Sequence, residues 1–167
     1  MSTFVSVGNA TQPFTRLLEA VEAVADELPQ PVLVQSGHTR FESERCHVVP
    51  LLEPDKFLQQ IAHADLVIIH AGAGSLIHAL QFGKLPVVFP REARYGEHVD
   101  DHQVQLAQAF ERAGKAILVR DGSQLLAGAR AALQGQVTTS SAPPTRLCAA
   151  VSDALQAVAR QRTDARR

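Results

Sequence analysis

The stretch LVIIHAGAGSLIHALQFG, residues 66–83, decides the fold. It opens with four consecutive large aliphatic residues, which predicts a strand buried on both faces, as in a parallel sheet. Small residues then occupy positions 71–74, and apolar residues follow at helical spacing as far as Gly83, a residue type that commonly follows the last turn of a helix. The stretch therefore predicts a buried strand, a tight turn and a helix in direct succession.

The same alternation of strand and helix continues on both sides of this unit. The predicted strands lie at 4–8, 31–37, 46–52, 66–72, 85–90 and 115–119, and the predicted helices at 13–28, 56–64, 75–83, 100–114 and 121–135. Because strands and helices alternate, we expect the α/β class and a Rossmann-like, doubly wound parallel sheet with helices on both faces. In such sheets a ligand binds beyond the carboxyl ends of the strands.

The chain of 167 residues is predicted to hold one domain, at residues 1–135. A Thr-, Ser- and Pro-rich segment at 136–145 is predicted to be a linker, and 146–167 a C-terminal helix with a basic tail. That tail fits a solvated terminus, with contact to an anionic surface or a partner as the alternative. Cys46 and Cys148 lie far apart without metal-ligand spacing, which favours two free thiols in a reducing compartment.

Composition excludes several classes of function. With 16 Lys and Arg against 17 Asp and Glu, the formal net charge is −1, so general binding to nucleic acid is not expected. The longest uncharged apolar stretch, at 66–74, is too short to span a bilayer, and the N-terminus has no leader pattern. We therefore expect a cytoplasmic protein whose membrane contact, if any, is peripheral or made through a partner.

Two predicted strand ends carry small or polar residues that suit a ligand. Gly8, Asn9 and Thr11 follow the first strand, and an ordinary turn is the alternative interpretation of this segment. His70 begins the segment HAGAGS, which ends at Ser75 and opens a helix. This turn allows a ligand to approach the backbone, although glycines that serve only the packing of strand against helix would look the same.

The third polar segment is PREARYGEHVDDHQ, residues 90–103. Its last four residues predict a helix start with Asp100 as the N-terminal cap and Gln103 as its capping-box partner. A set of four residues, Glu97, His98, Asp101 and His102, has side chains that bind metals. No second ligand cluster accompanies them, so we predict no metal site.

These segments together resemble the C-terminal domain of family 28 glycosyltransferases. The resemblance rests on HAGAGSLIHALQFGKLPVVFP at 70–90 and on DDHQVQLAQAFERAG at 100–114. PREARYGEHVDDHQ and the opening FVSVGNATQPFTRLLEAV resemble the single-domain members, in particular bacterial Pss-type exopolysaccharide subunits, a group related to the catalytic subunit of the dolichol-linked GlcNAc transferase. The similarity runs in order over about residues 3–120.

The resemblance implies the donor-binding half of a two-lobed GT-B enzyme. The chain would be the catalytic subunit of a two-component hexosyltransferase that moves a sugar from a UDP-sugar to a lipid-linked acceptor, with inversion, in exopolysaccharide biosynthesis. A membrane-associated subunit would bind the acceptor and bring the chain to the inner face of the plasma membrane. No metal or other cofactor is expected. The alternative is a nucleotide-sugar-binding or scaffolding module without catalysis of its own.

The resemblance also assigns roles to individual residues. Gly8, Asn9 and Thr11 would line the phosphate side of the cleft; His70, Gly72, Gly74 and Ser75 would face the diphosphate and nucleoside; and Asp101, His102 and Gln103 would reach the sugar hydroxyls. His78 would bind the ribose or lie on an ordinary helix face. Arg91 would supply a basic side chain to the leaving diphosphate, or be a solvated loop charge.

The resemblance further implies that the general base lies on the acceptor half, with His70 and His102 as the fallback candidates in this chain. The loop 91–100, including Tyr95 and Glu97, is expected to face the acceptor subunit because it is long and polar and lies at a strand end.

Overall fold

A computed structural model describes residues 1–139, with side chains as far as Gly135. The strands are β1 (Thr3–Ser6), β2 (Val32–Gln35), β3 (His47–Val49), β4 (Leu66–Ile69), β5 (Val87–Val88) and β6 (Ile117–Leu118). The helices are α1 (Thr15–Val24), α2 (Pro54–His63), α3 (Ala73–Gln81), α4 (His102–Arg112) and α5 (Leu125–Thr139), with short 3₁₀ turns at Ala25–Glu27, Ala93–Tyr95 and Gly122–Gln124. Within this part of the chain, no helix is both long and apolar enough to cross a membrane.

The six strands form one parallel sheet in the order β3-β2-β1-β4-β5-β6. This is the Rossmann order, so the predicted fold class is confirmed. The chain moves outward from β1 to β3, then returns to the other side of β1 with β4. Crossovers therefore leave β1 and β4 in opposite directions, and a crevice opens beyond the carboxyl ends of these two strands.

The sheet is covered on both faces, as the uninterrupted apolar run of β4 predicts. Side chains of one face, such as Val5 and Ile68, pack into a core with α1 and α5. Side chains of the other face, such as Phe4 and Ile69, pack with α2, α3 and α4. All four residues of β4 are buried, so this strand fixes the position of the turn that follows it.

Most predicted boundaries differ from the structure by a few residues, and two of the differences concern the ends of helices that pack on the sheet. The first helix begins at Thr15 rather than Pro13 and changes at Ala25 into a 3₁₀ turn. α5 continues through Thr139, so the prediction of a linker from residue 136 is wrong for its first four positions. These positions contain no Pro or Gly, and the weak helix propensity of β-branched residues is too small a cost to end a helix that is already packed. The rest of the linker, the helix at 146–167 and Cys148 lie outside the described residues.

Candidate functional site

A cleft of about 590 Å³ lies at the crevice between β1 and β4, within the size range of small-molecule sites. Seven residues predicted from the sequence line it: Gly8, Asn9, His70, Gly72, Gly74, Ser75 and His78. Residues from two separate segments of the chain therefore meet at the position where Rossmann-like sheets bind ligands. Thr11 is exposed and is not among the lining residues, so the structure does not bring it to this cleft.

The turn after β4 places the N-terminus of α3 at the cleft. Gly72 precedes the first turn of α3, and no side chain caps that end of the helix. A Cβ atom added at Gly74 would meet nothing within 4 Å, so this glycine borders open space. The unpaired N–H groups and the positive end of the helix dipole make this turn suited to an anion.

His70 occupies the space that two of the glycines leave free. A Cβ atom on Gly8 would lie 2.5 Å from Cε1 of the imidazole, and one on Gly72 would overlap Nε2. Gly8 also has a φ of +80°, which disfavours other residues. The packing interpretation thus holds for Gly8 and Gly72, which fit around the His70 ring, but not for Gly74.

The His70 imidazole is neutral at physiological pH. Burial, followed by the nearby positive charge of Arg91, lowers the pKa of His70 to about 4. Its Nδ1 atom is buried and has no hydrogen-bond partner among the described residues. A pKa this low makes His70 a weak proton acceptor, which argues against the general-base role considered for it.

When the pH is lowered from about 6 to about 5, the free energy of unfolding is expected to fall by about 1 kcal/mol more for the wild-type protein than for a His70→Gln variant. The folded imidazole stays neutral down to a pKa of about 4, whereas the unfolded imidazole takes up a proton below its ordinary pKa of 6.5. The unfolded state therefore binds more protons than the folded state between about pH 6 and about pH 5, and the folded state loses stability as the pH falls. Urea unfolding of both proteins measures the difference; equal losses would show that the folded imidazole also titrates.

Arg91 does not reach the cleft as a phosphate-binding side chain. It is fully buried, and its guanidinium donates to the carbonyl oxygens of Val7 at 2.8 Å, Gln12 at 2.7 Å and Glu97 at 3.0 Å. The alternative of a solvated charge is wrong, and the three carbonyl partners argue against the predicted contact with the diphosphate. Arg91 instead ties the end of β1, the start of α1 and its own loop together, because all three present backbone carbonyls to one guanidinium.

A second arginine, Arg16, anchors the same loop. It forms a bidentate ion pair with Glu97, at 3.0 and 2.8 Å, and donates to the carbonyl of Pro90 at 2.9 Å. Its guanidinium also stacks on Phe89 and Tyr95, 4.5 and 4.7 Å from the ring centroids. Glu97 is therefore an internal anchor and not an exposed partner contact as expected, whereas Tyr95 remains half exposed.

The N-terminus of α4 differs from the predicted capping box. α4 begins at His102, and Asp101, not Asp100, is the cap position, without a side-chain cap bond. Gln103 is buried and accepts a hydrogen bond from the Arg91 amide at 3.2 Å, so it braces the loop instead of facing a ligand. The capping-box prediction is wrong for Gln103, which finds this partner in the preceding loop, whereas the Asp100 carboxylate does accept from the first helical amide, that of His102, at 3.1 Å.

The three residues expected to reach the sugar hydroxyls do not line the cleft. The Asp101 carboxylate accepts from the Ala93 amide at 2.8 Å, and the His102 imidazole is hydrogen-bonded to Asp100. Burial alone would raise the pKa of Asp100, but hydrogen bonds from the His102 amide and imidazole outweigh it and lower that pKa. Asp100 therefore orients the partly exposed His102 ring, while Asp101 and Gln103 accept hydrogen bonds from backbone amides of the loop.

The apolar wall of the cleft was not predicted from the sequence. It consists of Leu51, Leu52, Pro54, Phe57 and Leu58, from the segment between β3 and α2. Gln35 holds this wall in place, because its amide oxygen accepts from the Leu52 backbone at 3.1 Å while its amide nitrogen donates to Ser6 at 3.2 Å. The available signal is PLLEP, residues 50–54, which lies at the carboxyl end of the strand predicted at 46–52.

A second hollow, more open and of about 1030 Å³, lies beside the loop from Ser36 to Cys46. It contains none of the predicted site residues, and Thr39 in its wall is already bonded to the Phe14 amide at 2.9 Å. The cleft between β1 and β4 is therefore the candidate site.

Fold and cleft together define a Rossmann-like domain with an uncapped helix N-terminus at its switch point. The chain belongs to the glycosyltransferase family 28 C-terminal domain family, whose model matches residues 2–162. It is thus a glycosyltransferase domain, equivalent in fold to the C-terminal half of a GT-B enzyme.

Similar proteins are named as transferases of N-acetylglucosamine. The UDP-N-acetylglucosamine--N-acetylmuramyl-(pentapeptide) pyrophosphoryl-undecaprenol N-acetylglucosamine transferase of Rubrobacter xylanophilus is 30% identical over 109 residues, covering 62% of this chain and 31% of that protein. The UDP-N-acetylglucosamine transferase subunit ALG13 of Eremothecium gossypii is 41% identical over 68 residues, covering 41% of this chain and 32% of that subunit. The matched segments thus span about a third of these relatives at most.

A solved structure supports the fold. The glycotransferase of kitacinnamycin superimposes with a TM-score of 0.61 over 94% of this chain and 39% of its own, at 19% sequence identity.

Proposed function

We propose that this chain is the donor-binding catalytic subunit of a two-component glycosyltransferase that uses a UDP-sugar. The observation that carries the proposal is the composition of the cleft: an uncapped helix N-terminus on one side and an apolar wall on the other. A nucleoside diphosphate has the matching parts, an anionic diphosphate and a flat base. The relatives whose printed names contain UDP-N-acetylglucosamine support the nucleotide.

The diphosphate would bind at the turn before α3. The open space at Gly74 lets phosphate oxygens approach the backbone N–H groups, and Ser75 and Asn9 add polar side chains from opposite sides of the cleft. Charge that develops on the departing UDP would be stabilised by these fixed dipoles. This arrangement requires no metal ion for UDP binding, which we propose as a property of the site.

The nucleoside would lie along the apolar wall. Phe57 and Leu52 offer flat and aliphatic surfaces against which a base can pack, and the α3 residue His78 lines the same cleft. Nδ1 of His78 contacts the Gln81 side chain at 3.3 Å, which orients the imidazole at the position where a ribose would lie. We therefore assign ribose binding to His78.

Sugar transfer would proceed with inversion at the anomeric carbon. An acceptor hydroxyl must attack from the side opposite the leaving UDP, so a second surface has to close the cleft and bring both groups together. We place that surface, the lipid-linked acceptor and the general base on a separate membrane-associated subunit. The word "subunit" in the names of the ALG13 relatives supports two components. The resemblance of residues 4–21 and 90–103 to exopolysaccharide subunits supports that pathway class.

The loop at 91–100 is the proposed contact with the acceptor subunit. Arg16 binds the Glu97 carboxylate and Arg91 donates to the Glu97 carbonyl, so the loop is held at this residue, while Val99 and Tyr95 remain 79% and 53% exposed. Exposed apolar side chains on a rigid loop are typical of a protein interface. The rival interpretation, a binding module without catalysis, predicts no transfer under any pairing.

A transfer assay with a lipid-linked acceptor tests this function. The chain alone is expected to show no transfer, and the chain with its acceptor subunit to show turnover. Val99→Asp should lower that turnover by about tenfold, because a charge would be desolvated at the interface, with UDP affinity unchanged. Phe82→Asp, at an exposed apolar residue outside the loop, is the matched control. Turnover by the isolated chain, or none with any acceptor subunit, would contradict the proposal.

A further inference from the structure

His98, Asp100 and His102 form a cluster that the proposed donor site does not use. One ligand-type atom from each lies within 4.8 Å of the other two. The two imidazole rings meet edge to face with centroids 4.5 Å apart, and Nδ1 of each ring faces the same Asp100 oxygen. The sequence prediction named Glu97 and Asp101 as side chains able to bind a metal but expected no metal site; in the structure both make other contacts.

Alternating contacts hold the cluster in place. Glu97 is paired with Arg16, Asp101 accepts from the Ala93 amide, and Gln103 accepts from the Arg91 amide. The residues at 98, 100 and 102 lie between these anchors, and their side chains converge. A site whose ligands are already ordered loses little entropy on binding an ion.

The three side chains converge on one carboxylate oxygen. The Asp100 amide lies 3.4 Å from Nδ1 of His98, and the same nitrogen lies 3.3 Å from the Asp100 carboxylate oxygen, which also accepts from the His102 amide at 3.1 Å. Two imidazole nitrogens and a carboxylate oxygen that meet at one point are a donor set for a first-row divalent cation.

We propose that His98, Asp100 and His102 bind one first-row divalent cation, with Zn²⁺ as the best-fitting ion. Two nitrogens and one carboxylate oxygen are ligands that Zn²⁺ prefers, and a fourth position remains for water. Ligands at about 2.0–2.1 Å on a tetrahedral ion stand roughly 3.3–3.4 Å apart, close to the spacing of His98 Nδ1 and Asp100 Oδ1. The His102 ring lies closer to Asp100 than this, so the ion would replace the direct hydrogen bond between them. The ion would brace the start of α4 against the loop.

Calorimetric titration of the tag-free chain with Zn²⁺, without nucleotide, tests the proposal independently of donor binding. One ion is expected to bind, and Co²⁺ should give the absorption bands of a tetrahedral site. His98→Ala and His102→Ala should each weaken Zn²⁺ binding by at least about tenfold, the loss seen when even an outer partner of a metal site is removed. His63→Ala, at an exposed histidine of α2, should bind like wild type. Millimolar Mg²⁺ should not bind, because it prefers oxygen ligands.

Circular dichroism of each variant checks that it is folded. Should an alanine variant unfold, Asp100→Asn, which keeps the shape and removes the charge, replaces it with the same expected loss. Wild-type protein that binds no Zn²⁺ at about 100 μM would overturn the proposal and leave the cluster as hydrogen bonds alone. Binding that survives in both histidine variants, or that is lost equally in His63→Ala, would overturn it as well.

Discussion

Replacement of Arg91 by methionine is expected to lower the free energy of unfolding by about 3 kcal/mol or more. The guanidinium is fully buried and is the donor for three backbone carbonyls, those of Val7, Gln12 and Glu97. Methionine fills much of the same volume but donates nothing. The buried carbonyls would lose their partner, at a cost of about 1–3 kcal/mol for each one left unsatisfied.

Arg94→Met is the matched control, since Arg94 lies in the same loop with its side chain 66% exposed and an ion pair to Glu92 at the surface. Its replacement should change stability by no more than about 0.5 kcal/mol. Urea unfolding followed by circular dichroism compares the three proteins. An Arg91→Met variant as stable as the Arg94→Met variant would show that the buried guanidinium does not hold the loop to β1.

Replacement of Gly72 by alanine is expected to cost about 2 kcal/mol of unfolding free energy. The added methyl group would overlap the His70 imidazole, which is packed against Gly8 on its other side and has little room to move. Gly72 has a negative φ of −77°, so backbone strain contributes little and the cost comes from the overlap. Thermal or urea unfolding measures it.

Two comparisons isolate that overlap. Gly74→Ala, two residues away in α3, meets nothing within 4 Å and should stabilise the protein slightly, since alanine favours a helix over glycine by up to about 1 kcal/mol. In a His70→Ala background, Gly72→Ala should lose most of its cost, because the ring it collides with is gone. A Gly72→Ala cost that persists without the imidazole would contradict this packing.

Much of the fold could be predicted because its signals are local. The aliphatic run of β4 predicts burial on both faces, and all four of its residues are buried. Gly83 and Gly114 predict helix ends, and both have positive φ angles just after α3 and α4. The helix at 136–139 could not be predicted, because the polar and β-branched residues at these positions resemble a linker.

The site was only partly predictable for a related reason. The glycines around His70 could be predicted from the sequence, because small residues between a strand and a helix serve close packing or the approach of a ligand. The role of Arg91 does not, because its partners lie 84, 79 and 6 positions away along the chain. The sequence predicted that Glu97 in the same loop faces the acceptor subunit, yet Glu97 pairs with Arg16, 81 positions away, and anchors the loop. Contacts over such separations follow from topology and not from local pattern.

Calorimetric titration with UDP in the presence of EDTA tests the central claim, that the turn before α3 binds the donor diphosphate. The wild-type chain is expected to bind UDP without metal. Gly74→Val should weaken that binding by about tenfold or more, about 1.4 kcal/mol, because the valine side chain would enter the open space at the helix terminus. Ala73→Val, at the exposed neighbour that does not line the cleft, should bind UDP like wild type. No UDP binding at about millimolar nucleotide, or equal affinity in the Gly74→Val variant, would contradict the account.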